Sequence, residues 1–389
     1  MGRGAGVGNR WILLSAGEAS GDLLGAELAL ELRRRAPDLD LAGMGGDRMA
    51  AAGVVLAVQA RDVAVVGLTE VLARLPRIWR AYRLLAGVLR DPRPNLLLCI
   101  DFPEFNLRLA RAAARVGVPV CYYVSPQVWA WRRGRIRTLR RLVRRMLLIF
   151  PFEEALYREA GLEVSFVGHP ILDRVRAVPP RQVCRTRLGL RDGERLVGLL
   201  PGSREAEVRR HLPVMAGAAA RIAAALPGTR FAVGVADTLP ADGVAALLPA
   251  GGGADIRLVT GDTYGVIRAA DLVVAASGTA TLEAGVLGTP LVVIYKVSPL
   301  TYLAGRLLIR VPFIGMVNLV AGRQVAPELI QGDATAERIA GEALTLLRDP
   351  ARLAAVRAEL ARLPGLLGEG GAAGRAAEIV LACLTAPRR

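Results

Sequence analysis

Histidine is nearly absent from this 389-residue sequence: His169 and His211 are the whole complement, and they lie far apart. Catalytic zinc sites draw on clustered imidazoles, so a His-based metal centre is excluded as the basis of an activity. Cysteine is little richer. Cys99, Cys121, Cys184 and Cys383 are scattered without CxxC spacing, and they read as buried, reduced thiols rather than a disulfide framework or zinc site. Long hydrophobic runs are missing too. The best candidate, 300–320, is cut by Arg306, Arg310 and Pro312, short of the roughly 18 apolar residues of a spanning helix. The stretch from Trp11 to Leu14 is too short for a signal-peptide core, so a cytoplasmic location is expected.

Lysine is the rarest of all. Of 51 basic residues Lys296 is the one lysine, and the formal net charge is +16. Such a balance points toward nucleic acid or an anionic membrane surface. The arginine bias, beside abundant Ala and Gly, is partly a coding bias, so its distribution says more than its total. Eight arginines and no acid fall within 132–145.

The length favours two domains. Short apolar runs alternate with amphipathic stretches of helical period, the pattern of βαβ units around parallel sheets. In the first half this predicts strands over 11–16, 39–43, 96–100, 118–124, 146–150 and 164–168, with helices over 23–35, 72–90, 105–116, 134–142 and 153–160. A polar, Pro-containing stretch, 174–181, reads as the linker. The rhythm then resumes with strands over 196–200, 231–235, 255–259, 272–275 and 291–295 and helices over 206–226 and 279–288. Three final helices are expected over 336–348, 351–362 and 372–384. The fold class predicted is α/β: two Rossmann-like domains, 1–173 and 182–365, facing a ligand cleft, followed by a C-terminal segment, 366–389.

Four segments of the first half can carry chemistry. Gly17-Glu18-Ala19-Ser20-Gly21-Asp22 links a strand to a helix; its acids would repel a pyrophosphate, so Glu18 and Asp22 either bind hydroxyls or, for Asp22, cap the helix. Gly43 to Asp47 places a second glycine-rich loop at the same sheet edge. Asp101 follows an apolar strand, at the edge where α/β sheets bind ligands. A carboxylate there can deprotonate an attacking hydroxyl, with Glu104 the competing base and a turn or helix-cap role the plainer alternative. Trp129 and Trp131, beside the arginine cluster, suit an anionic lipid surface or stacked nucleic acid, or are a packed pair next to a solvated helix. The stretch 72–89, with Trp79 and Tyr82, is a second amphipathic segment able to touch membrane, with a helix that simply covers a sheet as the plainer alternative. His169 ends the last strand before the linker.

The second half holds two loops suited to phosphate. Pro201-Gly202-Ser203-Arg204 offers backbone N–H groups, a hydroxyl and a guanidinium. Ser277-Gly278-Thr279 runs into a helix start, with Glu283 one turn inside and able to accept from ribose hydroxyls. Neither loop carries a Walker lysine, which disfavours ATP hydrolysis.

Taken together, the motifs at 17–22, 123–131, 201–204 and 277–283 resemble those of the lipid-A-disaccharide synthase family, over nearly the whole chain. The resemblance implies a metal-independent, inverting GT-B glycosyltransferase with no cofactor. Its donor would be UDP-2,3-diacylglucosamine and its acceptor 2,3-diacylglucosamine 1-phosphate, joined β-1,6 with release of UDP. It implies Asp101 as base; Glu18, Ser20, Asp22 and Trp129 around the acceptor; and Gly202, Ser203, Arg204, Ser277, Gly278, Thr279, Glu283 and Asn318 around the donor. Trp131, Arg132, Arg133, Arg135 and Arg137 would meet the anionic inner face of the membrane, and the last helix would return to the first domain. The sequence departs from the family pattern at Glu104, where an aspartate is expected. The rival readings are a UDP-GlcNAc 2-epimerase or the undecaprenyl-linked GlcNAc transferase, and, from another class, a nucleic-acid-binding protein. The last explains neither Asp101 nor the phosphate-type loops.

Overall fold

Strands such as Leu96–Ile100 and Leu196–Leu200 are apolar and buried at every residue, as parallel strands covered on both faces must be. The structure, a computed structural model, describes residues 10–63, 68–130, 134–249, 253–308 and 311–385. Its two compact units comprise the chain up to Pro170 with that from Gly368 onward, and Ile171–Leu367.

The first unit is built on β1 (Trp11–Ala16), β2 (Asp40–Gly45), β3 (Val55–Gln59), β4 (Leu96–Ile100), β5 (Val120–Tyr123), β6 (Arg145–Leu148) and β7 (Val164–Phe166). They form one parallel sheet in the order β3-β2-β1-β4-β5-β6-β7. Alternation along the strands sends Ile12, Leu14, Leu96 and Leu98 to one face, under helices Ala19–Arg35 and Ala372–Thr385. Leu13, Leu97 and Cys99 go to the other, under helices Leu68–Val88, Pro103–Arg115 and Phe152–Glu159. The final helix thus belongs to the first unit: Ala376, Ala377, Val380 and Cys383 join that core, and Arg375 Nε donates to the Val167 carbonyl at 2.9 Å.

The second unit repeats the plan with β8 (Leu196–Leu200), β9 (Arg230–Val235), β10 (Ile256–Thr260), β11 (Leu272–Ala276), β12 (Leu291–Tyr295) and β13 (Glu328–Ile330), ordered β10-β9-β8-β11-β12-β13. Every pair is parallel. In both sheets the order reverses beside the first strand, which puts a topological switch point between β1 and β4 and another between β8 and β11.

The linker expectation is corrected. Residues 171–176 and 181–187 are helical, and the chain passes between units at Pro170 and again at Leu367. Ile171, Leu172 and Val175 are buried at helical spacing, a period that the surrounding polar residues conceal in the sequence. Two edge strands, β3 and β13, were not predicted, because a half-exposed or three-residue strand carries little hydrophobic signal.

Candidate active site

At the first switch point β4 ends in two consecutive left-handed residues, Asp101 (φ 47°) and Phe102 (φ 49°). Neither is glycine, so the turn is strained and needs outside support. A buried polar network supplies it. The Asp101 carbonyl accepts from Asn106 Nδ2 and from the Tyr122 hydroxyl, both at 2.7 Å, while Asn106 also bonds the Ser15 carbonyl (3.1 Å) and accepts from its hydroxyl (2.6 Å). Burial pushes the Tyr122 phenol well above its ordinary pKa, so it stays a donor. Across the switch point, a Cβ on Gly17 would lie 2.2 Å from the Phe102 ring; glycine lets the loops after β1 and β4 close on each other. The Asp101 carboxylate is thereby held, half-buried, at the edge that carries Glu18 (half-buried) and Ser20 (exposed).

Asp22 is corrected. Its carboxylate accepts from the backbone N–H groups of Gly46 (2.6 Å), Met49 (3.0 Å) and Arg48 (3.2 Å), and is buried there. It caps helix Asp47–Ala51 rather than its own helix, and ties the two glycine-rich loops together.

Beyond β5 the loop 124–130 is clamped by helix Phe152–Glu159. Glu153 Oε1 accepts from Ser125 Oγ at 2.5 Å and from Trp129 Nε1 at 3.0 Å; Tyr157 donates to the Pro126 carbonyl at 3.1 Å. Trp129 therefore has a packed, hydrogen-bonded place, edge-on to Phe152, which in turn stacks on Phe150, and Phe150 lies 5.0 Å from the ring of buried His169. Glu153 is buried, its Oε2 has no hydrogen-bond partner, and burial pushes its carboxyl up to about 7. Sequence reasoning missed Glu153, Asn106 and Tyr122, since nothing in a helical acid or a strand tyrosine announces burial.

Glu104 pairs with Arg135, which leaves Arg135 mostly covered; the expectation that it meets lipid headgroups is revised. Arg137 is exposed, and Trp131, Arg132 and Arg133 lie outside the described residues. Helix Leu68–Val88 carries exposed apolar side chains beside arginines: Leu75 (47%) and Trp79 (58%) face outward beside Arg77, Arg80 and Arg83, while Ala81, Leu85 and Leu89 anchor the opposite side.

At the second switch point the loop after β8 differs from expectation. Glu207 Oε2 already accepts from Ser203 N (3.1 Å) and Arg204 N (3.3 Å), and its Oε1 from Arg204 Nη1 (3.3 Å). The backbone donors of Ser203 and Arg204 are thus satisfied within the chain. Their position is fixed by His211, buried and held neutral by desolvation, with Nδ1 on the Pro201 carbonyl (2.8 Å) and Nε2 accepting from Lys296 N (3.0 Å). Gly278, at φ 154°, opens the helix Thr279–Val286 in a conformation that L-residues avoid, with open space where a Cβ would stand. Thr279 is exposed there. Inside the helix Glu283 accepts from the Tyr264 hydroxyl at 3.1 Å, and burial raises its carboxyl pKa.

Two of the expected donor-site residues bond within the chain. The Ser277 hydroxyl donates to the Ile314 carbonyl at 2.7 Å. Asn318 is fully buried and saturated: it accepts from Val325 N and Ala326 N and donates to the Ala326 carbonyl and Glu328 Oε1, all within 2.9 Å. Glu328 in turn accepts from Ile314 N and Gly315 N, so Asn318 positions the segment on which Ser277 rests. Among the described residues no group of three or more His, Cys, Asp or Glu could hold a metal ion, and no helix is long and apolar enough to cross a membrane.

Two parallel sheets of this order, each presenting its loops at the carboxyl edge, define the GT-B class of fold. Solved structures agree: UDP-GlcNAc 2-epimerase from Neisseria meningitidis superposes with a TM-score of 0.66 over 96% of this chain and 100% of that one, at 13% identity. The calicheamicin glycosyltransferase CalG4 gives 0.62 over 98% and 100%, at 18% identity. Within that class sequence is decisive. The family model for lipid-A-disaccharide synthetase matches residues 12–363. The lipid-A-disaccharide synthases of Syntrophus aciditrophicus and Myxococcus xanthus are 49% and 48% identical, each over 96% of this chain and covering 98% and 97% of theirs. The chain belongs to the lipid-A-disaccharide synthase family, and is a glycosyltransferase of lipid A biosynthesis.

Proposed function

We propose that the acceptor, 2,3-diacylglucosamine 1-phosphate, binds at the carboxyl edge of the first sheet and that Asp101 takes the proton from its 6-hydroxyl. The observation that carries this is the strained turn at Asp101, held by three fully buried polar side chains, Ser15, Asn106 and Tyr122. Strain retained at such a place is a mark of function. The oxygen freed of its proton attacks the anomeric carbon of UDP-2,3-diacylglucosamine, the bond to the diphosphate breaks, and UDP leaves with the electron pair. Arg204 and the helix start at Thr279 take the charge that develops on the diphosphate, as oriented donors do in metal-independent transfer. Glu283 accepts from the ribose. Incubation with both lipid sugars in excess EDTA, read by mass spectrometry, tests the scheme: the disaccharide phosphate and UDP should form at an unchanged rate. Activity lost on chelation and restored by magnesium would overturn the metal-independent part.

The acyl chains require a surface. Exposing each CH₂ to water costs about 0.8 kcal/mol, so the enzyme works where the lipid lies. Exposed Leu75 and Trp79, with arginines beside them, support helix Leu68–Val88 as the peripheral contact with anionic lipid.

A further inference from the structure

We propose that Glu153 is the positioning residue of the acceptor loop, and that it does so in its charged form. The inference rests on the acceptor reading above and goes beyond it. Two donors from the loop, Ser125 Oγ and Trp129 Nε1, converge on one oxygen of a carboxyl that is 2% exposed, while the other oxygen faces no donor. A native protein seldom leaves a buried polar atom unsatisfied, and such an atom calls for an explanation. Bonds to an ionised acceptor are shorter and stronger than bonds to a neutral one, so the carboxylate grips the loop where the acid would hold it loosely.

The loop needs gripping. It begins at Val124, a β-branched residue at φ 64°, and leads to Trp129 at the sheet edge that holds Asp101. Tyr157 fastens its middle through the Pro126 carbonyl, and Glu153 fastens both ends. No charged side chain contributes to the proton affinity of Glu153. Desolvation raises it, and Ser125, Trp129 and the Phe150 region oppose that; the titratable neighbours are Tyr157 on its own helix and, past Phe150, His169. Burial puts the equilibrium between acid and carboxylate close to neutrality, where the loop shifts between its loose and gripped forms.

The test is the acceptor KM as a function of pH. If only the ionised form takes acceptor, KM in the wild type should fall about ten-fold from pH 6 to pH 8, as expected when the competent fraction rises through a midpoint near 7. The phosphate of the acceptor titrates with a pKa near 6, so Glu153→Gln is the control: it keeps that contribution and should lose the rest. Donor KM should be unchanged in both proteins. Ser125→Ala, which removes a bond that lowers the proton affinity, should move the midpoint to higher pH. A merely structural role would lower kcat or stability in Glu153→Gln at every pH and leave the slope of KM as it is in the wild type; that result overturns the proposal. Trp129→Ala separates the two claims. If it leaves acceptor KM unaltered, the loop is not at the acceptor and the underlying reading falls. If it raises acceptor KM while Glu153→Gln keeps the wild-type slope, only the role of Glu153 falls.

Discussion

The two switch points share one topology and differ in charge. At the first, carboxylates gather: Glu18 and Asp101 stand at its edge, Asp22 holds its two loops together, and Glu153 holds the loop after β5. At the second, the loop carbonyl and amide groups are knitted by His211, Lys296 and Glu207, and Arg204 and the helix start at Thr279 are each exposed. On the proposed scheme, one arrangement takes up a proton and the other faces the negative charge of the diphosphate. The fold fixes where chemistry happens, and a handful of side chains at the strand ends fix which chemistry it is.

That contrast can be broken most severely at Asp101. Asp101→Asn should lower kcat by about 10²–10⁴-fold, the range of a general base, while UDP affinity measured by calorimetry stays as it was. A folded variant with near-normal turnover would move the base to Glu18 or Glu104. A smaller effect is expected on stability. The folded-state pKa of Glu153 is raised to about 7, so its contribution is fully present below the ordinary carboxyl value of 4.5 and is lost as pH rises through 7. Between pH 4.5 and 8 the wild type should therefore lose about 3 kcal/mol relative to Glu153→Gln, read from urea melts at several pH values. Parallel curves would mean that the carboxyl titrates normally.

At the other switch point, Arg204→Ala should weaken UDP binding about ten- to a hundred-fold, the worth of one or two hydrogen bonds to a charged group. Glu283→Gln should weaken UDP less, and uracil hardly at all. Unchanged UDP affinity in both would remove the diphosphate from this edge. The mildest effect is expected outside both sites. Trp79→Ser with Leu75→Ser should reduce sedimentation with anionic vesicles several-fold at fixed salt, without altering UDP affinity. Equal sedimentation would return attention to the arginines of 134–145, of which Arg137 is exposed.

The sequence was most informative where one physical signal sufficed. Eleven strands show as apolar runs because parallel strands are buried on both faces, and Asp101 stands out because a carboxylate follows such a run. It was least informative where a polar side chain has two possible partners. Asp22 beside a helix start reads as a cap of its own helix, but long-range folding gave it the N-terminus of Asp47–Ala51. Asn318 and Ser277 look like ligand groups, and the sequence hides their bonds within the chain, because only tertiary structure brings Ile314 and Glu328 to them. Glu207 was invisible for the same reason: an acid in the first turn of a helix is common, and nothing local says that it fills the donors of the preceding loop.

The return of the final helix has a consequence for how the protein is made. The second unit, Ile171–Leu367, interrupts the first in the chain, whose remaining piece begins at Gly368. As a polypeptide emerges from the ribosome, the second unit has all its residues before the first does. The first sheet must wait with the core face over Ile12, Leu14 and Leu28 uncovered until Ala376, Ala377 and Val380 arrive. A nascent chain stalled near residue 367 would expose that apolar face, so chaperone capture and aggregation should fall on the first unit, and removal of the last fifteen residues should harm the first unit while sparing the second.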